Sequence, residues 1–274
     1  MLLVIDVGNT NTVLGVFARV AKVHPGSEEA SNGARYERLV AQWRVATVLN
    51  HTVDEYGVLF RSLFSMDSLD ASGIRGIVIS SVVPPLDSTL RQVCERYFKL
   101  KPLFIEPGVK TGMPVHYENP AEVGADRIVN GVAAFEKYGG PCVVVDFGTA
   151  INFDAVSAAG EFAGGAIAPG VQVATDALRD RAARLAKVEL RAPEHAIGTN
   201  TDTNMQSGAI FGFAGLVDGL VRRFRVELGG AAVTVATGGM AALVAPHCET
   251  VDHVEPLLTL EGLHLIWERN QARA

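Results

Sequence analysis

Cysteine is scarce in this chain. Only Cys94, Cys142 and Cys248 occur among 274 residues, far apart and odd in number, with no C-x-x-C pair. Neither a disulfide framework nor a thiolate zinc cluster is expected. The seven histidines also lack metal-ligand spacing. No apolar stretch reaches the roughly 18 residues of a membrane span. The apolar run at the start is cut by Asp6, and it carries neither a basic segment nor a small-residue cleavage signal. Basic runs are missing as well, and the net charge is −6, which argues against a nucleic acid held through its phosphates. The expectation is a cytoplasmic protein with no membrane and no nucleic-acid partner. What is abundant is core material: 48% of residues are hydrophobic and 20% charged, in a length suited to one large domain or two ordinary ones.

Elements follow from periodicity and punctuation. Leu2 to Ile5 reads as a buried strand, Thr12 to Phe17 as the next, and Leu39 to Ala46 as a third. Between the last two, the polar stretch PGSEEASNGA (residues 25–34) reads as the tip of a long hairpin. Thr52 with Glu55 is a capping-box signature, and Tyr56, Phe60, Leu63 and Phe64 follow at helical spacing. Strand Gly76–Val83, a helix over about residues 86–98 and a short strand Pro102–Ile105 complete the first half. In the second, Asn119-Pro120 predicts a helix start that ends at Gly139-Gly140. Its apolar stripe is Ile128, Val132 and Phe135, which turns Asp126 to the opposite side. A late strand, Ala232 to Ala236, runs into Thr237-Gly238-Gly239.

The segment DVGNTNT after the first strand has a counterpart in DFGTAIN after Cys142–Val145. Asp146 lies 140 residues after Asp6, and Gly148 lies 140 after Gly8. A period this long indicates duplication of a whole α/β half and not a solenoid. Glycines let backbone approach phosphate closely, and Thr, Asn and backbone N–H groups donate to its oxygens. The aspartates would repel phosphate unless a cation lies between. The pair therefore reads as two cation-assisted phosphate turns; a single copy would be equally well explained as a turn with local Asx capping. Two resemblances are spurious. Asp146-Phe147-Gly148 spells the protein-kinase DFG without an H-R-D or G-x-G-x-x-G loop before it. Gly108-Val109-Lys110-Thr111 has Val109 intruding in what would be a P-loop end.

With IDVGNT (Ile5–Thr10), WRVAT (Trp43–Thr47), DEYG (Asp54–Gly57), GADR (Gly124–Arg127), VVDFGTA (Val144–Ala150), GGAIAPGV (Gly164–Val171) and ATGG (Ala236–Gly239), the chain resembles the type III pantothenate kinases over nearly its whole length. The insertion around Val20–Arg35 departs from the usual pattern. The resemblance implies an α/β fold of two tandem ribonuclease-H-like, actin-type ATPase domains, residues 1–118 and 119–274, with an interdomain ATP cleft. It implies transfer of the ATP γ-phosphate to pantothenate, a homodimer with pantothenate near the interface, and dependence on Mg²⁺ or a similar divalent ion and on K⁺ or NH₄⁺.

Site residues follow. Asp6 is the candidate for the divalent cation, through water, with an Asx-turn carboxylate as the plainer explanation. Val7, Gly8, Asn9, Thr10, Asn11, Thr12 and Val13 form the rest of the first ATP-phosphate turn. Thr149 matches a nucleotide contact of the second turn, and Gly238 and Gly239 would let adenosine lie against the strand end. By resemblance Asp126 is the catalytic base; by helix pattern alone it would be a solvated carboxylate beside Arg127. Arg127 would offer a forked donor to the pantothenate carboxylate or to phosphate, against the alternative of a surface ion pair. Gly124 and Ala125 are small enough to let substrate approach. Tyr117 and Thr201 match the family's substrate contacts, and Asp146 matches its monovalent-cation site. Two other functions stay open at this point: a non-catalytic nucleotide-binding regulator, and a kinase for another small hydroxyl acceptor.

Overall fold

The computed structural model of the chain describes residues 1–19, 37–182, 185 and 187–271. The insertion around Val20–Arg35, with its expected hairpin tip, lies outside the described residues.

Two compact units divide the chain. One comprises Met1–Lys110, Gly124–Asp126 and Thr259–Ala274; the other comprises Thr111–Val123 and Arg127–Leu258. Each is built on a five-stranded mixed sheet.

In the first unit, β1 (Leu2–Val7), β2 (Asn11–Arg19) and β3 (Glu37–Ala46) form an antiparallel meander. Helix α1 (Val53–Met66) then leads to β4 (Gly76–Ser81), which pairs parallel to β1. Helix α2 (Pro84–Val93), prolonged by a π-helical turn at Cys94–Phe98, leads to β5 (Leu103–Phe104). The sheet order is β3-β2-β1-β4-β5. Alternation along the strands decides the two faces. Leu3, Ile5, Val7, Leu14, Val16, Ile77 and Ile79 share a buried cluster with Tyr56, Phe60 and Phe64 of α1 and Leu86 and Leu90 of α2. The capping box at Thr52 and Glu55 forms as expected: the Glu55 backbone N–H donates to Thr52 Oγ1 at 3.3 Å, and Thr52 N–H donates to Glu55 Oε2 at 2.7 Å. The other face meets the C-terminal helix of the chain. A Cβ on Gly76 would fall 2.1 Å from the Trp267 ring, so the helix seats as it does only over a glycine there, and one on Gly15 would crowd Leu260 at 3.0 Å.

The second unit repeats the plan. Helix α3 (Ala125–Tyr138) precedes β6 (Cys142–Phe147), β7 (Ala150–Val156) and β8 (Phe162–Pro169), again an antiparallel meander. Helices α4 (Val171–Arg181) and α5 (Thr201–Glu227) lead to β9 (Val233–Thr237), parallel to β6. Helix α6 (Ala241–Val244) and β10 (His253–Val254) follow, and α7 (Leu258–Gln271), from Thr259 on, belongs to the first unit. The order β8-β7-β6-β9-β10 matches that of the first sheet strand for strand. Its core gathers Val143, Val145, Phe147, Ile151 and Phe153 with Ile210, Val217 and Val221 of α5.

Two local expectations change. Asn119-Pro120 starts only a 3₁₀ turn, Pro120–Glu122, capped by Asn119. Val123 then turns extended (φ −76°, ψ 122°), and the α-helix begins at Ala125. Nor does α3 bury a single stripe. Val132 is buried, but so are Arg127, Val129, Asn130, Gly131, Ala133 and Ala134, whereas Ile128 and Phe135 are half-buried. The helix is packed on most of its circumference, and Asp126 is half-buried rather than turned to open solvent.

Candidate active site

Each sheet ends its first strand in an acidic turn. Asp6 on β1 lies between Val13 of β2 and Ser80 of β4. Asp146 on β6 lies between Asn152 of β7 and Thr237 of β9. The strand ends at Ser80-Ser81 and Thr237-Gly238 thus hold equivalent places in the two sheets. The turns themselves differ in length. The first hairpin pairs Val7 with Thr12 and the second pairs Phe147 with Ile151, so the second loop is one residue shorter.

In the first turn Gly8 N–H donates to Asn11 O at 3.0 Å, which closes the loop. Asn9 and Thr10 are exposed, Asn11 and Val13 half-buried, and Val7 and Thr12 buried. The accessible part is therefore Gly8 to Asn11. In the second turn Gly148 N–H reaches Ala150 O at 2.9 Å, and Gly148 and Thr149 are exposed.

Asp146 is confined on two sides. Its Oδ2 accepts from Asn130 Nδ2 at 3.2 Å, and Asn130 is buried on α3. A Cβ on Gly238 would sit 2.3 Å from Asp146 Oδ1, and Gly238 has φ +92°. Only glycine brings backbone this close to the carboxylate. Were a monovalent cation held here, this carboxylate would be one ligand, with waters or phosphate oxygens completing the shell. Among the described residues no group of three or more His, Cys, Asp or Glu side chains is placed to hold a metal. A divalent ion at Asp6 would share its shell with water and phosphate, as Mg²⁺ does at nucleotide sites. Gly239 is exposed just beyond Gly238.

Asp126 stands in the first turn of α3. A Cβ on Gly124 would lie 2.6 Å from Asp126 Oδ1, so the glycine of GADR makes room for this carboxylate. The start of a helix favours a negative charge there. Ala125 is the first helical residue. Arg127 is only 7% exposed. Its Nε donates to Asp154 Oδ1 at 2.7 Å and its second terminal nitrogen reaches the same oxygen at 2.6 Å. Its guanidinium carbon also lies 5.4 Å from the centre of the Phe162 ring. The alternative of a surface ion pair is therefore excluded by burial. Sequence pattern alone does not mark Asp154; the one signal it offers is a lone carboxylate inside the apolar strand AINFDAV.

Tyr117 is 40% exposed and follows a segment tied to β8, where His116 N–H donates to Phe162 O at 2.9 Å and Phe162 N–H to Pro114 O at 2.8 Å. Thr201 is exposed at the first position of α5, next to the Asn200 cap whose side chain accepts Thr203 N–H. The cysteines take no part in this chemistry. Burial pushes the Cys94, Cys142 and Cys248 thiols up to about 12, so none is a thiolate near neutrality. A hollow of about 490 Å³ on α5, lined by Gly219, Arg222, Arg223, Val226 and Glu227, contains none of these residues.

Two sheets of one strand order, each ending its first strand in an acidic turn, define the tandem ribonuclease-H-like class of actin-type ATPase and sugar-kinase folds. Solved structures of that architecture align with almost the whole chain. The activator of the 2-hydroxyisocaproyl-CoA dehydratase from Clostridium difficile, with bound ADPNP, covers 99% of this chain and is itself covered to 96%, with TM-score 0.51 and 11% identity. The ethanolamine utilization protein EutJ from Carboxydothermus hydrogenoformans covers 96%, with 89% of its own chain aligned, TM-score 0.53 and 11% identity. Sequence narrows the class. Residues 2–223 match the family model for type III pantothenate kinase. The type III pantothenate kinase of Koribacter versatilis (strain Ellin345) is 60% identical over 273 residues, 99% of this chain and 97% of the relative. That of Moorella thermoacetica is 52% identical over 270 residues, 98% of this chain and 100% of the relative. The chain belongs to the type III pantothenate kinase family.

Proposed function

We propose that this protein phosphorylates pantothenate with ATP to give 4'-phosphopantothenate, the first step of coenzyme A biosynthesis. The observation that carries the proposal is family membership over nearly the full length, in a chain that retains both acidic turns and the GADR segment. Phosphoryl transfer asks a protein mainly for positioning and charge neutralisation. The accessible backbone and side chains of Gly8 to Asn11, with Asp6, Val7, Thr12 and Val13 behind them, would hold the ATP phosphates. Thr149 would add a contact from the second turn, and Gly238 and Gly239 would accommodate the adenosine.

Asp126 would accept the proton of the pantothenate primary hydroxyl as its oxygen bonds to the γ-phosphorus. The bond from the γ-phosphorus to the β,γ-bridging oxygen breaks, and ADP leaves. A divalent cation near Asp6 and a monovalent one near Asp146 would supply neutralisation of the phosphate oxygens. Arg127, Tyr117, Gly124, Ala125 and Thr201 would bind and orient pantothenate. The buried Asp154 partner supports a fixed orientation for Arg127 rather than a mobile surface one. We also propose a homodimer with the pantothenate pocket near its interface and a cytoplasmic location; symmetric dimers are the commonest oligomers. No helix among the described residues is long and apolar enough to cross a membrane.

The test is ADP release from ATP over a panel of phosphoryl acceptors, pantothenate, sugars and acetate among them. Release dependent on pantothenate alone is the expected result. Preference for another acceptor, or nucleotide binding without turnover on any, would overturn the reading. Sedimentation of a fully active monomer would overturn the dimer.

A further inference from the structure

The segment WRVAT at the end of β3 has no part in the proposed chemistry, yet its last residue is tied to the first turn. Thr47 Oγ1 donates to Gly8 O at 2.7 Å. It also lies 2.9 Å from Thr12 Oγ1. A hydroxyl has one proton, so with the Thr47 proton on Gly8 O, the Thr12 hydroxyl is the donor between the two threonines. The Thr47 backbone N–H donates to Thr10 O at 3.0 Å. One residue thus holds the turn at Gly8, Thr10 and Thr12.

The consequence is a direction for the turn's amides. The Gly8–Asn9 peptide is trans, so its N–H points opposite to its carbonyl. With Gly8 O drawn to Thr47, the Asn9 N–H faces away from β3. With Thr10 O drawn to the Thr47 N–H, the Asn11 N–H faces away likewise. Backbone N–H groups aimed to one side of a tight turn form an anion cradle. Left to itself, a four-residue loop of Gly, Asn and Thr would sample several peptide orientations, and ordering it would oppose phosphate binding.

The duplicated half shows that the fold does not require this hydroxyl. In the second sheet the position equivalent to Thr47 is Gly170: its N–H donates to Thr149 O at 3.0 Å, as Thr47 N–H does to Thr10 O. A Cβ there would lie 2.4 Å from Thr149 O and 2.5 Å from Gly148 O. The backbone bond is common to both turns, and the side-chain latch belongs to the first alone.

We propose that Thr47 is a positioning residue for ATP, which presets the Asn9 and Asn11 amides toward the phosphates without touching them. This rests on the reading of Gly8 to Asn11 as a phosphate cradle. The experiment is calorimetric binding of Mg-ATP to the full chain without acceptor, for wild type, Thr47→Val and Thr47→Ser. Val keeps the shape and removes the hydroxyl. Loss of its two hydrogen bonds should weaken ATP binding about tenfold. Ser should restore binding to within about twofold, because it keeps both bonds. In steady state, the Val variant should raise KM for ATP and leave KM for pantothenate unchanged. Thr47→Ala replaces Thr47→Val if the latter does not fold. A hydroxyl-free variant that binds Mg-ATP like wild type, whatever its melting temperature, overturns the proposal. The binding assay needs no acceptor, so a wild type that binds ATP but ignores pantothenate would overturn the function reading alone. A wild type that binds no Mg-ATP would overturn the phosphate cradle, and the latch with it.

Discussion

Arg127 and Asp154, 27 residues apart, form a buried ion pair that joins α3 to β7. Asp154 is fully buried, and the Arg127 side chain is 9% exposed. A Cβ on Gly165, which pairs with Asp154 across β7 and β8, would stand 2.7 Å from the Arg127 guanidinium. The nearest obstruction is Phe153 O at 2.0 Å, so the strand partner must stay small for β8 to lie against β7 here. Removing one member of a buried pair leaves the other charge desolvated, which costs about 3–5 kcal/mol. Asp154→Ala should therefore lower the unfolding free energy in urea by that amount, and replacing Arg127 by Met in the same chain should recover part of it. A single-variant loss under about 1 kcal/mol would mean that water or another group takes over the charge.

Asp126→Asn should keep nucleotide binding and lower kcat by about 10²–10⁴-fold, the usual scale for a lost general base. The carboxylate is accommodated by Gly124 and sits at a helix start, so the amide fits the same space. Turnover within a few-fold of wild type would show that the proton goes elsewhere.

Asp146→Asn should raise the K⁺ concentration needed for half-maximal activity. Replacing K⁺ and NH₄⁺ by a large organic cation at constant ionic strength should abolish wild-type turnover. The ground is the carboxylate packed against the Gly238 backbone, with Asn130 on its other oxygen. An unchanged K⁺ response in the variant would leave Asp146 as a turn acceptor only. Gly238→Ala, which puts a methyl 2.3 Å from Asp146 Oδ1, should disturb the K⁺ response as well.

The cysteines set a pH dependence. Burial raises all three thiols from the ordinary 9.0 to about 12. Between those values the unfolded chain has lost the thiol protons and the folded chain keeps them. Folding then binds more protons than unfolding, so stability falls as pH rises from about 9 toward 12. Urea midpoints at pH 8 and pH 10.5 should differ in that direction, and by less in Cys94→Ala combined with Cys142→Ala. Native protein at pH 8 should react slowly with thiol reagents at Cys94 and Cys142, which are buried. Rapid labelling of both without unfolding would contradict the burial.

What the chain's order of residues determined by itself was local or repeated. Strand periods, the Thr52–Glu55 box and the 140-residue offset between Asp6 and Asp146 are visible because each is written in neighbouring residues or written twice. The motifs around these turns identified the family for the same reason. The single apolar stripe expected on α3 is absent because the helix is packed on most sides, and its buried set includes Arg127 and Asn130. Only tertiary structure decided which distant groups meet. Arg127 meets a carboxylate two elements later, Thr47 reaches back 39 residues to Gly8, and α7 returns to the first sheet through Gly15 and Gly76. Strand pairing makes these contacts: the turn formed by residues 8–11 is latched because β3 ends beside it, and that adjacency exists only once the sheet has formed.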